Sequence, residues 1–250
     1  EMHMWSLGQS LMELGHKVIV VTHSYGDRKG VRYMTNGLKV YYAPQLDIFD
    51  RATPPLLFTF FPLFRDVVIR ERINLVAGHQ ANSMLMAEAL LHAHTMGLKT
   101  CFTDHSLCGF SDVPSIGINK ILKFTLSGVD HAIAVSHTCR ENLVLRAALD
   151  PRAVSVIPNA IDPMQFTPDP GWPSPQPGER IFVVVMSRLV YRKGIDLLVD
   201  VIPAVCARYP NVHFIIGGDG PKRLPLEEMC ERHQLQDRIE MLGAVPHSNV

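Results

Sequence analysis

The sequence carries no excess of charge of either sign. Its 250 residues include 24 Lys and Arg against 24 Asp and Glu, so the formal net charge is zero. This balance argues against a nucleic-acid partner held by bulk electrostatic attraction, because such proteins concentrate positive charge. Any anionic ligand must therefore be bound by a local group of cations.

Cysteine is scarce, and long uncharged apolar segments are missing. The five cysteines are an odd number without a Cys-x-x-Cys pair, which argues against a disulfide framework or zinc site and predicts free thiols in a reducing compartment. There is no Asn-x-Ser/Thr sequon. The uncharged stretch 52–64 holds three prolines and is shorter than the ~20 residues of a membrane-spanning helix.

Strand and helix patterns alternate along nearly the whole chain. Apolar, β-branched runs predict buried strands at 17–22, 38–42, 74–78, 99–103, 131–135, 154–157, 181–185, 212–216 and 239–242. Helical patterns lie between most of them, so we predict parallel sheets covered by helices on both faces. His92 and His94 lie on a predicted helix, where positions i and i+2 do not share a face, so we reject them as a metal pair.

Six prolines between 163 and 178 predict a linker. We therefore predict an α/β protein with two Rossmann-like domains, residues 1–162 and 180–250, joined by the linker 163–179. The chain begins inside a helical pattern, without a signal peptide, and stops directly after a strand pattern. We expect both ends to be cut and both domains to be incomplete.

Two motifs follow neighbouring predicted strands of the second domain, where ligands bind in folds of this class. Ser187–Gly194 places Arg188, Arg192 and Lys193 at a strand-to-helix junction, which favours phosphate binding, although a solvated basic turn would have the same residues. Gly217–Arg223 is glycine-rich, so its backbone could approach a diphosphate closely. Alone this second motif is weak; together the two indicate a nucleotide site.

These motifs belong to a longer series: Ile157–Asp162, Phe166, Pro168, Ser187–Leu189, Lys193–Gly194 and Gly217–Pro221. The series resembles that of the retaining family-4 glycosyltransferases, which have the GT-B fold of two Rossmann-like domains facing across a cleft. Longer segments resemble the catalytic subunits of phosphatidylinositol N-acetylglucosaminyltransferase complexes: Thr22–Gly26, Gly30–Tyr33, Asn36–Tyr42, Phe102–Leu107, Val144–Leu149 and Ser187–Leu198.

This resemblance implies retaining transfer of N-acetylglucosamine from UDP-N-acetylglucosamine to phosphatidylinositol, the first step of glycosylphosphatidylinositol (GPI) anchor synthesis. It implies no cofactor and no metal, other subunits in a membrane-bound complex, and a place on the cytosolic face of the endoplasmic reticulum membrane. The family's membrane helix, its first glycine-rich loop and its paired donor-binding glutamates would lie outside residues 1–250. We therefore expect this chain alone to be nearly inactive.

The resemblance also assigns site residues. Arg188 and Lys193 would neutralise the donor diphosphate, while the backbone at Gly218 and Gly220 would line the nucleotide pocket; these are the donor-binding residues. Arg192 would meet the acceptor's phosphate. In the first domain His105 and Asp104 would be the catalytic residues. His105 would lie near the donor sugar, and Asp104 would orient it or cap the next element.

Other interpretations remain open. Another family-4 glycosyltransferase with a different donor or acceptor would share the general motifs. A non-catalytic GT-B scaffold would share the fold but would not bind a UDP-sugar. The apolar residues Leu56–Phe58, Phe60 and Phe61 form either the core face of a helix or a surface that touches the bilayer.

Overall fold

The computed structural model describes residues 2–34, 36–44, 57–160, 167, 171, 176 and 178–246. The chain divides into two compact units, Glu1–Pro163 and Met164–Val250. Most of the Pro-rich stretch lies outside the described residues, so the linker stays a prediction. No helix in the described ranges has the length and apolarity to cross a bilayer.

The first unit alternates strands and helices, as the sequence patterns predict. Its helices are α1 (Met2–Glu13), α2 (Leu57–Glu71), α3 (Met84–Thr95), α4 (Val113–Thr125) and α5 (His137–Ala147). Its strands are β1 (Ile19–His23), β2 (Gly30–Tyr33), β3 (Lys39–Ala43), β4 (Leu75–His79), β5 (Lys99–Asp104), β6 (His131–Ala134) and β7 (Val154–Val156). One sheet has the order β1-β3-β2 and another the order β4-β5-β6-β7.

The four strands of the β4–β7 sheet are all parallel, so their carboxyl ends share one edge. Apolar side chains from β5, α4 and α5 cover this sheet, among them the fully buried Phe102, Leu122 and Leu143. Ser136 caps α5 as predicted, because its hydroxyl accepts a hydrogen bond from the Cys139 N–H at 3.1 Å.

Two features of the first unit differ from the sequence patterns. Strand β2 was not predicted; it pairs antiparallel with β3, and its four residues are exposed, so they carry no burial pattern. Helix α4 begins three residues earlier than the pattern at 116–126 indicates. Asp112 explains that start, since its carboxylate caps the helix at the Ser115 N–H.

The second unit contains β8 (Ile181–Met186), α6 (Ile195–Arg208), β9 (Val212–Gly217), α7 (Arg223–Arg232) and β10 (Ile239–Gly243). The strands are parallel in the order β10-β9-β8. Leu189, Ile195 and Ile216 are fully buried in the core beneath α6 and α7. The prediction that β8 is buried was wrong for the described residues: β8 is an edge strand, and Phe182 and Val184 are more than half exposed.

Candidate functional site: a histidine cluster and two linked loops

His105 lies directly after β5, at the edge where the parallel strands end. There it meets His79, the last residue of the neighbouring strand β4. Nδ1 of His79 and Nε2 of His105 are 3.3 Å apart, and the two rings are stacked. The ring centroid of His3, on α1, lies 4.7 Å from the ring centroid of His105. The candidate site residue His105 therefore belongs to a cluster of three histidines.

The surroundings favour the neutral form of two of these imidazoles, those of His79 and His105. Burial, together with the neighbouring His105 and His3, lowers the pKa of His79 to about 4. Burial is also the main reason why the pKa of His105 is lowered, with His3 contributing. At neutral pH these rings can therefore donate through one nitrogen and accept through the other. That is a suitable pair of groups for binding sugar hydroxyls.

Asp104, the residue before His105, is engaged away from solvent. Its side chain is fully buried and accepts a hydrogen bond from Arg146 of α5 at 3.0 Å. Its other oxygen accepts from both the backbone N–H and the hydroxyl of Ser106. The carboxylate thus exposes no atom to a substrate in this structure. What it does is fix the first turn of the loop that carries His105.

Arg146 connects that loop to two helices. Its Nε donates to Asn119 of α4 at 2.8 Å, and its Nη1 also donates to Asn142 of α5 at 3.1 Å. The Asn142 amide in turn donates to the Cys108 carbonyl at 3.0 Å. Sequence analysis gave Arg146 and the two asparagines no role at this site. Arg146 and Asn142 lie 42 and 34 residues along the chain from their partners Asp104 and Cys108.

In the second unit the two predicted ligand-binding motifs lie side by side. Leu189 N–H donates to the Asp219 carbonyl and Lys222 N–H to the Leu189 carbonyl, both at 2.9 Å. A Cβ at Gly218 would lie 1.8 Å from the Ser187 carbonyl oxygen, and one at Gly220 would lie 2.5 Å from that of Leu189. Glycine is needed at both positions because the neighbouring loop leaves no room for a side chain.

Three cations accompany this pair of loops. Arg188, Arg192 and Lys193 are all exposed, and none has an ion-pair partner within the part of the chain that the structure describes. Arg192 and Lys193 lie in a short 3₁₀ turn directly before α6, and the first backbone N–H groups of α6 have no helical partner and can bind anions. By contrast, nearby Lys222 is paired with Asp196 at 2.8 Å. The three unpaired cations are available to a ligand.

A further exposed surface lies beyond the His105 loop. Phe60 is buried in the core, and Phe61 packs against His92, whereas Leu56 and the side chains of Leu57 and Phe58 lie outside the described residues. Instead, six apolar residues and two lysines are exposed on α4 and the loop before it. This α4 surface consists of Leu107, Phe110, Val113, Ile116, Lys120, Ile121, Lys123 and Phe124.

Two family models match the chain. Residues 23–112 match PIGA, described as GPI anchor biosynthesis, and residues 172–250 match the glycosyl transferases group 1. Over residues 23–112 the chain is thus similar to the PIGA family. The "Phosphatidylinositol N-acetylglucosaminyltransferase gpi3 subunit" of Schizosaccharomyces pombe is 58% identical to it over 250 residues, a match that covers all of this chain and 54% of that relative.

A relative from Homo sapiens, which is also named as part of a phosphatidylinositol N-acetylglucosaminyltransferase, is 54% identical over the whole chain and is itself covered to 51%. The chain thus spans about half the length of these two relatives. Among solved structures, Anabaena Alr3699/HepE in complex with UDP has a TM-score of 0.62 at 17% identity, covering 84% of this chain and 56% of that one. At this identity the likeness concerns the fold alone, and it confirms the predicted GT-B class.

Proposed function

We propose that the full-length protein containing this chain transfers N-acetylglucosamine from UDP-N-acetylglucosamine to phosphatidylinositol, retaining the anomeric configuration and using no metal cofactor. This is the first step of GPI anchor synthesis. One observation carries the proposal furthest: two loops with three unpaired cations are hydrogen-bonded to each other after β8 and β9, in a chain whose residues 23–112 match the PIGA model. Ligands of α/β folds bind at this end of the strands.

The donor's diphosphate is assigned to the loops of the second unit. Arg188 and Lys193 neutralise its charge, and they stabilise the additional charge that develops on UDP as the sugar bond breaks. The backbone at Gly218 and Gly220 lines the nucleotide pocket without a side chain in the way. Arg192, one residue before Lys193, contacts the phosphate of the acceptor lipid.

The transferred sugar is assigned to His105. Its neutral imidazole donates to or accepts from a hydroxyl of N-acetylglucosamine next to the reacting carbon, which orients the sugar. Asp104 acts as a positioning residue, since its buried carboxylate holds the loop that carries His105.

A lipid acceptor requires the enzyme to reach the bilayer. The α4 surface supports this step, because its exposed positions recur at helical spacing on one face and include Lys120 and Lys123, with no acidic residue within α4. Phosphatidylinositol is anionic, so the charge of this face complements it. We assign the protein, with its partner subunits, to the cytosolic face of the endoplasmic reticulum membrane.

The test is transfer of labelled N-acetylglucosamine to phosphatidylinositol. Membranes lacking the native enzyme receive the full-length parent and its partner subunits, the Arg188→Ala variant, or Arg232→Ala as a control at another exposed arginine of the same unit. We expect labelled glycolipid from the parent and the control, and ~10–100-fold less from Arg188→Ala, which corresponds to about 1.4–3 kcal/mol.

Two other outcomes would contradict the proposal in different ways. If the parent makes no product but binds UDP-N-acetylglucosamine, the acceptor is wrong. If the parent does not bind UDP-N-acetylglucosamine, the assay is repeated with GDP-mannose. Transfer from GDP-mannose would indicate another family-4 transferase, and binding of neither donor would indicate a non-catalytic scaffold.

A further inference from the structure

Three histidines from three different elements converge in the first unit. His3 comes from α1, His79 ends β4, and His105 follows β5; each offers one ring nitrogen, and these nitrogens all lie within 4.8 Å of one another. We infer that this cluster binds a divalent transition metal ion such as Zn²⁺, and that the bound ion inhibits sugar transfer. The inhibitory part rests on the role proposed above for His105.

The spacing of the nitrogens suits a metal ion. Zn²⁺ is bound by imidazole at about 2.0–2.1 Å in tetrahedral geometry, which places two ligand nitrogens about 3.3 Å apart. The nitrogens of His79 and His105 already have this separation, 3.3 Å. The ligand nitrogen of His3 lies within 4.8 Å of those of the other two histidines, so tetrahedral binding requires the His3 ring to move closer to them.

The ligand set is also the right kind. Three imidazoles with a fourth position left open are a common arrangement at zinc sites that exchange a ligand. The site is half-buried, so an ion can enter from solvent. No other group of three His, Cys, Asp or Glu side chains is this close among the described residues.

A bound metal ion and the donor sugar would compete for the same ring nitrogen of His105, which is why the ion should inhibit transfer. A ring nitrogen of His105 that ligates a metal ion cannot at the same time bind a sugar hydroxyl. The ion also holds His79 and His105 in one fixed arrangement and occupies the space beside them. Donor nucleotide binding by the loops of the second unit should continue, whereas transfer should stop.

The first experiment measures binding itself. The purified full-length parent, freed of metal, is titrated with Co²⁺, whose visible absorption reports tetrahedral ligation, and Zn²⁺ is then added in competition. We expect one equivalent to bind and Zn²⁺ to displace it. His79→Ala should weaken binding at least ~10-fold, while His233→Ala, at an exposed histidine of the second unit, should leave it unchanged.

A second variant protects the test against misfolding. His79→Gln keeps a polar side chain of similar length at the end of β4, and circular dichroism checks that each variant is folded. A folded His79→Gln chain that binds Co²⁺ as the parent does would overturn the site. So would a parent chain that shows no Co²⁺ absorption.

The second experiment separates the site from the proposed function. Full-length parent in membranes is assayed for transfer after EDTA treatment and after addition of Zn²⁺. We expect activity in EDTA, loss in Zn²⁺ and recovery on renewed chelation. Activity that persists at Zn²⁺ concentrations saturating the cluster would overturn the inhibition. No transfer under any condition would count against the proposed function, while the Co²⁺ result still decides the metal site.

Discussion

Arg146 donates a hydrogen bond to Asp104 at 3.0 Å, and neither side chain has any exposed surface. The two residues come from α5 and the end of β5, so their contact ties a helix to the loop that carries His105. A buried ion pair need not add net stability, but removing one partner leaves the other charge buried and uncompensated.

Asp104→Asn should therefore destabilise the chain by about 3–5 kcal/mol, because it leaves Arg146 without its counter-ion. Urea unfolding of parent and variant measures the difference. Asp150→Asn is the matched control: Asp150 pairs with Arg152 at 2.8 Å on the surface, where no measurable loss is expected. A variant as stable as the parent but unable to transfer sugar would instead assign the Asp104 carboxylate to the chemistry.

Glu71 should make stability depend on pH. Lys17, Lys39 and Tyr41 donate to its carboxylate, which lowers its pKa to about 2 from an ordinary value near 4.5. Because the folded-state pKa is the lower one, the stabilisation is complete above about pH 4.5 and is lost as the pH falls towards 2.

Glu71→Gln should accordingly be less stable than the parent at pH 6, and this difference should shrink as the pH is lowered from 5 to 3. Urea unfolding across that range measures it. Glu141→Gln, at an exposed glutamate with no ion pair among the described residues, should track the parent at each pH. A Glu71→Gln difference that does not change with pH would contradict the account.

Gly218 should tolerate no side chain. Its φ is +133°, and a Cβ there would collide with the Ser187 carbonyl, which is backbone and cannot rotate away. Gly218→Ala should thus cost at least ~1–3 kcal/mol or separate the two loops, with loss of UDP affinity.

Calorimetric titration with UDP and urea unfolding check both effects. Gly117→Ala is the control, because Gly117 lies within α4 with open space around its Cβ position, and alanine there should stabilise by roughly 0.5–1 kcal/mol. If Gly218→Ala folds and binds UDP as the parent does, then the close contact of the loops is not essential.

Local sequence patterns predicted most of the fold, and the reasons for the misses are physical. Runs of apolar residues predicted the parallel strands. Strand β2 is short and exposed, so its sequence has no such run. His105 was selected by the resemblance, which did not point to His79. A search of strand ends would have found His79, since it directly follows the predicted strand 74–78. His3 could not have been found from the sequence, because only the folded structure shows that α1 packs beside these strands.

Asp104 is a second residue whose long-range contact could not be predicted from the sequence. Its position next to His105 suggested a catalytic role, yet its partner Arg146 is 42 residues further along the chain. Long-range ion pairs leave no local signal. The glycines of the second unit were singled out for the nucleotide pocket, which stays a prediction, and the contact that demands glycine there is with the neighbouring loop.

The α4 surface should matter only when the acceptor lies in a bilayer. Val113 and Phe124 are 83% and 67% exposed on it, and transferring such side chains to the membrane interface is favourable. In the full-length protein, Val113→Ser combined with Phe124→Ser should raise the KM for phosphatidylinositol in vesicles several-fold. It should leave kcat and the KM for a short-chain, water-soluble phosphatidylinositol unchanged.

The control is Leu145→Ser, which changes an equally exposed leucine on α5 and should alter neither acceptor. Equal losses with both forms of acceptor would mean that the serines damage the site, since α4 follows the His105 loop directly. Loss of partner subunits on purification would show that the surface binds protein. A KM that rises for vesicles alone fits a membrane contact, because the two assays differ only in where the lipid is held.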